Sequence, residues 1–255
     1  MQPIALQIGS FAIRWYGVMA AVGFLLGSWV LFKNKKAAGL NDDTCSGVLL
    51  TAMIAGIVGA RIFYVIQFFD HYRNNLINII RIDQGGLVFY GGFILAVISI
   101  AVYCKIHKID FIRLLDFFTP AIAIAHACGR VGCFLNCCCY GRPSDSIFAV
   151  TYPAGSEAQL RYPGAAVTPI QLIEAGENII AFFIFYQLVR RTKRGVATSC
   201  YFISYGVLRF INEYWRGDNP KIWGLLTPAQ LIGAVLVPAG IAALIWFSKH
   251  DAKKD

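Results

Sequence analysis

Long apolar runs separated by short polar segments are the dominant pattern along this 255-residue chain. A helix needs about 20 mostly apolar residues to cross the hydrocarbon core of a membrane. In lipid, a bundle of such helices satisfies every backbone hydrogen bond internally. The pattern therefore predicts an all-α, polytopic integral membrane bundle of about seven transmembrane helices, at residues 12–32, 45–68, 87–104, 114–134, 170–189, 197–215 and 225–247.

The distribution of lysine and arginine between the loops predicts the orientation of this bundle. The loops after the first, third and fifth predicted spans and the C-terminal tail hold 13 of the 23 basic residues, whereas the other loops hold 6. Because cytoplasmic loops carry the excess of basic residues, we expect the N-terminus outside and the C-terminus in the cytoplasm.

We expect residues 1–255 to form a single membrane-embedded domain. Its longest outward-facing loop is predicted at about 135–169, which is rich in proline, glycine and serine. A second outward segment, 69–86, contains the run LINII, which favours a short helix lying in the membrane interface.

The composition excludes several classes of protein. Hydrophobic residues make up 57% of the chain and charged residues only 15%, against roughly a quarter charged in soluble domains. A soluble globular enzyme is therefore excluded, and so is a disordered chain, which would be poor in apolar residues. The net charge of +9 is explained by the topology signal. No nucleic-acid partner is expected, because no soluble basic domain is present to bind one.

Four arginines lie within or at the edge of the predicted spans, where a charge is costly and by default indicates a functional site. The alternative is that they form internal ion pairs that hold the bundle together. The arginines are Arg14, Arg61, Arg130 and Arg209, and the candidate buried carboxylates are Asp116, Glu174 and Glu213.

Two polar motifs place charges on one helical face. Arg209, Glu213 and Arg216 are spaced i, i+4 and i+7, and His126 lies one turn before Arg130. The planar fork of arginine binds phosphate through two parallel hydrogen bonds. Because these arginines fall near the predicted outer boundary of the membrane, the motifs indicate a site for an anionic phospholipid headgroup.

The glycine pairs Gly85-Gly86 and Gly91-Gly92 have two interpretations. Glycine allows a close backbone approach or a break in a helix. Small residues also let two membrane helices pack closely. The sequence leaves both interpretations open.

The eight cysteines do not predict a metal site. Zinc ligands are normally two to four residues apart, whereas Cys137, Cys138 and Cys139 are consecutive, and no second cysteine or histidine pair has metal-ligand spacing. The sequence leaves open whether disulfides form in the outward loop, because that side faces an oxidising compartment. Buried apolar positions are predicted for Cys45, Cys104, Cys128 and Cys200.

Together the motifs resemble the prolipoprotein diacylglyceryl transferase family of bacteria. The resemblance covers nearly the whole chain, and its specificity comes from the order and spacing of the motifs. In chain order these are IRWYG, GARIFYV, GGLVFYGGFI, LLDFFTP, GRVGCFLNCCCYGRP, TPIQLIEA, YGVLRFINEYWRGD and GLLTPAQ.

The resemblance implies a multi-pass enzyme of the bacterial cytoplasmic (inner) membrane. It would transfer the diacylglyceryl group of phosphatidylglycerol to the lipobox cysteine thiol of a preprolipoprotein, as the first step of lipoprotein maturation. The products are a thioether-linked lipoprotein and glycerol phosphate. The implied partners are phosphatidylglycerol, membrane lipid and signal peptides with a lipobox cysteine, and no cofactor is implied.

The resemblance also implies roles for individual residues. Arg130 matches the arginine that binds the headgroup, and Arg209 matches a second essential arginine suited to stabilising the leaving phosphate. Arg61 is placed with the substrate-binding residues, and like Asp116 it matches a polar position with a structural or orienting role. Further matching positions of the substrate site are Tyr16, Asn136, Gly141, Glu213 and Arg216.

The sequence departs from the family where a base would be expected. Many members have a histidine, proposed as the base, where Tyr90 stands. Tyrosine ordinarily titrates near pH 10, so Tyr90 would be a poor base but could orient the substrate. His126 could replace the base or simply be a packed helix residue. Alternatively, Arg130 and Arg209 lower the pKa of the substrate thiol enough that no base is needed.

The second departure lies inside the signature segment. Cys133 stands where asparagine is usual, and Cys137-Cys138-Cys139 replaces a more polar run. These departures leave room for an inactive paralogue that binds lipid. A membrane carrier for an anionic molecule is the other rival, since intramembrane arginines and broken helices suit one, although no repeat relates two halves of the chain.

Overall fold

The computed structural model describes residues 3–9, 11–73, 75–81, 85–219 and 225–251. The basic residues Lys221, Lys253 and Lys254, which entered the charge count, lie outside the described residues. Over the described ranges the chain is mainly helical with very little sheet, which confirms the all-α prediction. The α-helices of the described residues are α1 (Trp15–Asn34), α2 (Asp42–Gln67), α3 (Phe89–Ile106), α4 (Phe111–Leu135), α5 (Glu157–Arg161), α6 (Ile170–Arg191), α7 (Val196–Asn212) and α8 (Pro228–Asp251).

Six of the described helices are long and apolar enough to cross a membrane, namely α1, α2, α3, α4, α6 and α8. The span predicted at 197–215 corresponds to α7, which has 17 residues and is not among the six. The protein is thus a multi-pass membrane protein. The number of seven spans and the orientation stay predictions.

The first helix begins later than predicted, because a β-hairpin precedes it. Strands β1 (Ile4–Ile8) and β2 (Phe11–Arg14) pair antiparallel, with Ile4 opposite Arg14. The turn between them includes Gly9 at a φ of 60°. The sequence analysis missed this hairpin, since a short apolar run does not distinguish a strand from a helix. Arg14 accordingly lies at the end of a strand, exposed, and not inside α1.

The chain packs as two compact units. One comprises Met1–Leu31 and Leu115–Asp255, and the other comprises Phe32–Leu114. The single membrane domain predicted from the sequence stays a prediction.

In the unit Phe32–Leu114, helices α2 and α3 pack through glycines. A Cβ built on Gly59 would lie 2.6 Å from the Cβ of Leu95, and one on Gly92 would lie 2.6 Å from the carbonyl oxygen of Gly56. Such glycines let two helix backbones approach closely in lipid. The structure therefore supports the packing interpretation for the Gly91-Gly92 pair.

The other glycine pair lies in a turn that Arg61 holds. Arg61 is buried in α2 and donates hydrogen bonds of 2.6–3.0 Å to four backbone carbonyl oxygens, those of Asn78, Ile79, Gly85 and Gly86. Both glycines have a positive φ, 81° and 79°, which disfavours other residues. The predicted short helix at LINII is the 3-10 helix Leu76–Ile80, and Arg61 binds its C-terminal carbonyls. Arg61 thus stabilises this turn, and the structural or orienting role expected for it in the site stays a prediction.

In the unit that contains both termini, a carboxylate of α4 fixes the start of α7. Asp116 is fully buried and accepts hydrogen bonds from the backbone N–H groups of Gly195 and Thr198, at 2.7 and 2.9 Å, and from the Thr198 hydroxyl at 2.8 Å. A carboxylate at a helix N-terminus satisfies unpaired N–H groups and interacts favourably with the positive end of the helix dipole. This contact agrees with the structural role expected for Asp116.

The loop predicted at about 135–169 is compact. It contains the short helix α5, and Val150 and Val167 exchange backbone hydrogen bonds across an isolated bridge. A small apolar core holds it together, formed by Cys137, Tyr140, Tyr152, Ala158 and Val167. Burial raises the pKa of Tyr152 to about 12, so its hydroxyl stays protonated; it accepts a 2.9 Å hydrogen bond from Gln171.

We predict that Gly59→Ala destabilises the protein and Gly56→Ala does not. The new Cβ at Gly59 would meet Leu95, whereas one at Gly56 would meet nothing within 4 Å. Overpacking costs about 1–3 kcal/mol, while alanine is the better helix former. Thermal unfolding in detergent measures the difference. Equal melting temperatures for the two variants would contradict the glycine packing of α2 and α3.

Candidate functional site

An alternating chain of arginines and carboxylates joins α4, α6 and the C-terminal end of α7. Arg130 of α4 forms an ion pair with Glu174 of α6. The other oxygen of Glu174 lies 3.1 Å from Nη1 of Arg209, whose Nη2 lies 3.0 Å from Glu213 Oε2. The same oxygen of Glu213 lies 3.8 Å from Nε of Arg216. Glu174 is thus the bridge between the two arginines that the sequence analysis placed in the catalytic site.

Arg216 lies at the far end of this series of ion pairs. Its Nε and Nη2 donate to the two carboxylate oxygens of Asp218 at 3.0 and 2.7 Å, the two-pronged geometry that makes arginine pairs strong. Burial lowers the pKa of Arg216, but Asp218 and the Cys139 sulfur outweigh it and raise this pKa above its ordinary value. The guanidinium is therefore held charged.

The network is largely buried. The side chain of Glu213 is fully buried and that of Glu174 is 5% exposed, while Arg130 and Arg209 are 11% and 17% exposed. Buried charges are tolerated when each has a partner, and removing one partner is strongly destabilising. The internal ion pairs left open by the sequence analysis are thus confirmed for Arg130 and Arg209.

Ion pairing does not use all the hydrogen-bonding capacity of the site. Among the described residues, Nε of Arg130 and Oδ1 of Asn136 are buried without a hydrogen-bond partner. Buried polar atoms in folded proteins are nearly always satisfied. The Nε of Arg130 is therefore available as a donor to a ligand, and Oδ1 of Asn136 is available as an acceptor.

A small cavity of about 30 Å³ lies between α4, α6 and α7. His126 lines it together with Glu174 and Arg209, so the structure brings this histidine close to Arg209 as well, which its spacing from Arg130 did not predict. The ring of His126 also lies 5.8 Å from the ring of Tyr205. Further polar residues that were not singled out from the sequence line the cavity, among them Glu177, Asn178 and Asn212.

A signal for these missed residues is present in the sequence. Glu177 and Asn178 interrupt the predicted span 170–189, three and four residues after Glu174, which places them on the same helical face. Asn212 donates a 2.5 Å hydrogen bond to Glu177 across the α6–α7 contact. A search for every polar residue inside the spans would have found them.

Tyr16, in the first turn of α1, lies beside the C-terminal part of α4. A Cβ on Gly132 would be 3.4 Å from Cα and 3.5 Å from Cδ2 of Tyr16. The absence of a side chain at Gly132 therefore lets the tyrosine approach α4 between Arg130 and Cys133.

Gly141 lies where three backbone segments meet. Its N–H donates to the carbonyl oxygen of Thr168 at 3.1 Å, and it forms an isolated bridge with Arg216. A Cβ on Gly141 would lie 2.9 Å from Cβ of Thr168, and one on Gly217 would lie 3.0 Å from the carbonyl carbon of Gly141. The glycine predicted as part of the substrate site thus positions the backbone that carries Arg216.

The turn after α4 gathers three thiols that the linear spacing did not relate. The sulfur atoms of Cys133, Cys138 and Cys139 all lie within 4.8 Å of one another. Hydrogen bonds from the Cys133 and Cys138 thiols, with the nearby Arg216 and Arg130 charges, lower the pKa of Cys139. Cys137 belongs instead to the apolar loop core, and burial raises its pKa.

All eight cysteines are free thiols in this structure. The disulfides that the sequence left open in the outward loop are therefore not formed here. Cys45, Cys104 and Cys128 are buried, as predicted, and Cys200 is partly buried.

Two predicted site residues belong to the other compact unit, Phe32–Leu114. Tyr90 lies in the first turn of α3, is 55% exposed, and packs its ring edge-on against Phe89 at 5.8 Å. Arg61 holds the turn that leads into α3. A direct role of either residue in chemistry or substrate binding stays a prediction.

We predict that Glu174→Gln lowers stability by about 3 kcal/mol, because it removes the charge that two buried arginines share. The matched control is Glu157→Gln on α5, where the side chain is exposed and the same change should have little effect. Thermal unfolding of both variants in detergent checks the expectation. A melting temperature of Glu174→Gln equal to that of the control would show that the ion pairs do not stabilise the bundle.

Comparisons with known proteins identify the family of this chain. The family described as prolipoprotein diacylglyceryl transferase matches residues 3–246. The phosphatidylglycerol–prolipoprotein diacylglyceryl transferase of Finegoldia magna is 38% identical over 257 residues, covering 100% of this chain and 99% of the relative. The proteins of the same name from Clostridium botulinum strain Langeland and Clostridium kluyveri are 35% and 32% identical, each covering 100% of this chain and 99% and 100% of the relative. The chain therefore belongs to the prolipoprotein diacylglyceryl transferase family.

Proposed function

We propose that this protein transfers the diacylglyceryl group of phosphatidylglycerol to the lipobox cysteine thiol of a preprolipoprotein. The observation that carries the proposal is the buried Arg130–Glu174–Arg209 bridge beside a small cavity that His126 also lines, in a chain that matches this family over nearly its whole length. The products would be a thioether-linked lipoprotein and glycerol phosphate, the first step of lipoprotein maturation.

Arg130 and Arg209 would hold the phosphate of the lipid. Arg130 has a buried Nε without a partner, and a phosphate oxygen is a suitable acceptor for it. As the ester bond breaks, negative charge grows on the leaving phosphate, and arginines fixed in a buried site stabilise such charge more than water does. Glu174 would keep both guanidinium groups oriented before the lipid binds.

The acceptor brings its own nucleophile. The cysteine thiolate of the preprolipoprotein would attack the carbon of the diacylglyceryl group that carries the phosphate ester. The carbon–sulfur bond forms as the bond between this carbon and the phosphate oxygen breaks. The electron pair of that bond leaves with the phosphate oxygen. Because a thiolate is the reactive form, the thiol proton must be removed before or during the attack.

The proposed location is the bacterial cytoplasmic membrane, with the reaction at its outer leaflet. The helices that can span a membrane and the excess of basic residues in alternate predicted loops support a site near the outer boundary. A lipid could then reach the cavity from the bilayer and a preprolipoprotein from the outer face.

A turnover assay in detergent tests the reaction. It combines the purified protein with phosphatidylglycerol labelled in its acyl chains and a lipobox peptide that contains the acceptor cysteine. Label should appear on the cysteine peptide and not on a matched cysteine-to-serine peptide. Protein that is folded and binds the lipid, yet transfers no label, would overturn the proposal in favour of an inactive paralogue. Lipid-independent uptake of an anion into proteoliposomes would instead favour a carrier.

Arg130→Lys is predicted to lower kcat/KM about 100-fold in this assay. Lysine retains the charge but loses the two-pronged fork and the Nε donor, and removing one charge-stabilising donor costs about 10²–10³-fold in rate. Arg190→Lys is the matched control, since Arg190 is exposed near the end of α6 and should retain wild-type turnover. An Arg130→Lys enzyme as active as the control would refute the assignment of Arg130 to the lipid phosphate.

A further inference from the structure

Three thiols meet at the C-terminal end of α4 because of how this helix ends. The Cys138 N–H donates to the Cys133 carbonyl oxygen at 3.1 Å, and the Cys137 N–H to that of Phe134, also at 3.1 Å. Cys137 has a φ of 58°. These are the hydrogen bonds and the left-handed residue of a Schellman motif, which brings the side chains of its first and last residues into contact. Here those residues are Cys133 and Cys138.

Cys139 adds the third sulfur. Its own φ is 60°, so the chain turns again directly after the motif. The three sulfur atoms lie within 4.8 Å of one another. Three thiolates bound to one tetrahedral zinc ion at 2.3 Å would be about 3.8 Å apart, so the trio needs to close by about 1 Å or less.

The surroundings of the trio suit a bound cation with an anionic ligand set. Nη1 of Arg130 lies 3.9 Å from Cys133 Sγ, and Nδ2 of Asn136 lies 3.7 Å from Cys138 Sγ. Three thiolates and one divalent ion carry a net charge of −1, which Arg130 can balance. Oδ1 of Asn136 is buried beside the trio without a partner among the described residues, so a ligand that enters there meets a free acceptor.

The ligand count distinguishes a structural from a catalytic metal site. In the part of the chain that the structure describes, no histidine, aspartate, glutamate or further cysteine joins the three sulfurs. Structural zinc sites have four protein ligands, whereas catalytic sites have three and keep one position open. A metal ion on these thiols would therefore keep one coordination position open, in a site that Arg130 adjoins through Cys133.

We propose that Cys133, Cys138 and Cys139 bind a thiophilic divalent metal ion, such as Zn²⁺, whose open position receives the acceptor cysteine of the lipoprotein substrate. The inference rests on the proposed function. The metal ion would supply the deprotonation of the acceptor thiol, a step for which Tyr90 is a poor candidate. A thiol bound to such an ion is deprotonated outright.

The proposed step conserves atoms and charge. The acceptor thiol loses its proton to solvent as its sulfur binds the metal ion. That sulfur then attacks the glycerol carbon of the lipid, and the carbon–oxygen bond to phosphate breaks with its electron pair on the departing oxygen. The ion stays divalent throughout, and the neutral thioether is a weaker ligand than the thiolate, so the product can leave.

Metal binding is tested first, without reference to activity. Full-length protein purified in detergent under reducing conditions is equilibrated with Zn²⁺, freed of excess metal, and analysed by mass spectrometry for zinc. About one zinc ion per chain is expected in the wild type and in Cys137→Ser, a thiol of the same run that lies outside the trio. Cys138→Ser and Cys139→Ser should each retain less than a tenth of the zinc that the wild type binds. Wild type without zinc, or equal zinc in all four proteins, overturns the proposal.

The open position is tested with Co²⁺, whose visible spectrum reports its ligands. The spectrum of the Co²⁺-loaded wild type should change when the lipobox cysteine peptide is added and stay constant with the serine peptide. Identical spectra with both peptides would overturn the role of the acceptor thiol.

The same preparations distinguish this inference from the proposed function. If a chelator removes the metal and label transfer falls at least tenfold, with recovery on adding Zn²⁺, the inference is supported. Full transfer by metal-free protein would overturn the inference while the proposed function stands. Absence of transfer at any metal loading would overturn the proposed function, even if zinc binds. A disulfide within the trio, detected as a loss of two hydrogens in the active enzyme, would also overturn the inference.

Discussion

Glu174 lies between Arg130 and Arg209, and the arrangement of α4, α6 and α7 depends on this one carboxylate. A charge in the interior of a membrane bundle is tolerated only with a partner, so each helix must place its charge within reach of the other two. The ion pairs that stabilise the bundle are therefore also the groups that would bind the lipid phosphate. Asp116 supports the arrangement from the opposite end of α7 by fixing the start of the helix that carries Arg209.

Close backbone approach is the second constraint on the site. Gly141 and Gly217 let the loop after α4 and the segment after α7 lie against each other, and the same contact positions Arg216. Arg216 in turn interacts with Glu213 and Asp218. Close packing of the backbone thus positions a side chain that lies outside the helices.

The sequence predicted the helical membrane fold, the helical faces that carry Arg130 and Arg209, and the family, because hydrophobic runs and the spacing of charges are local properties. It missed the hairpin before α1, since a short apolar run is ambiguous between strand and helix. It also missed the thiol trio. A search for metal-ligand spacing assumes regular structure, whereas Cys133 and Cys138 meet through the end of a helix and a left-handed residue. Contacts between distant segments, such as Asn212 with Glu177, depend on packing that the sequence does not state.

The central claim of this account is that the arginines bridged by Glu174 bind the phosphate of phosphatidylglycerol. Native mass spectrometry of lipid retained by the detergent-purified protein measures this most directly. The wild type should retain phosphatidylglycerol in preference to phosphatidylcholine, and Arg130→Gln should lose that preference while remaining folded. Equal retention of both lipids by the wild type, or an unchanged preference in Arg130→Gln, would contradict the claim.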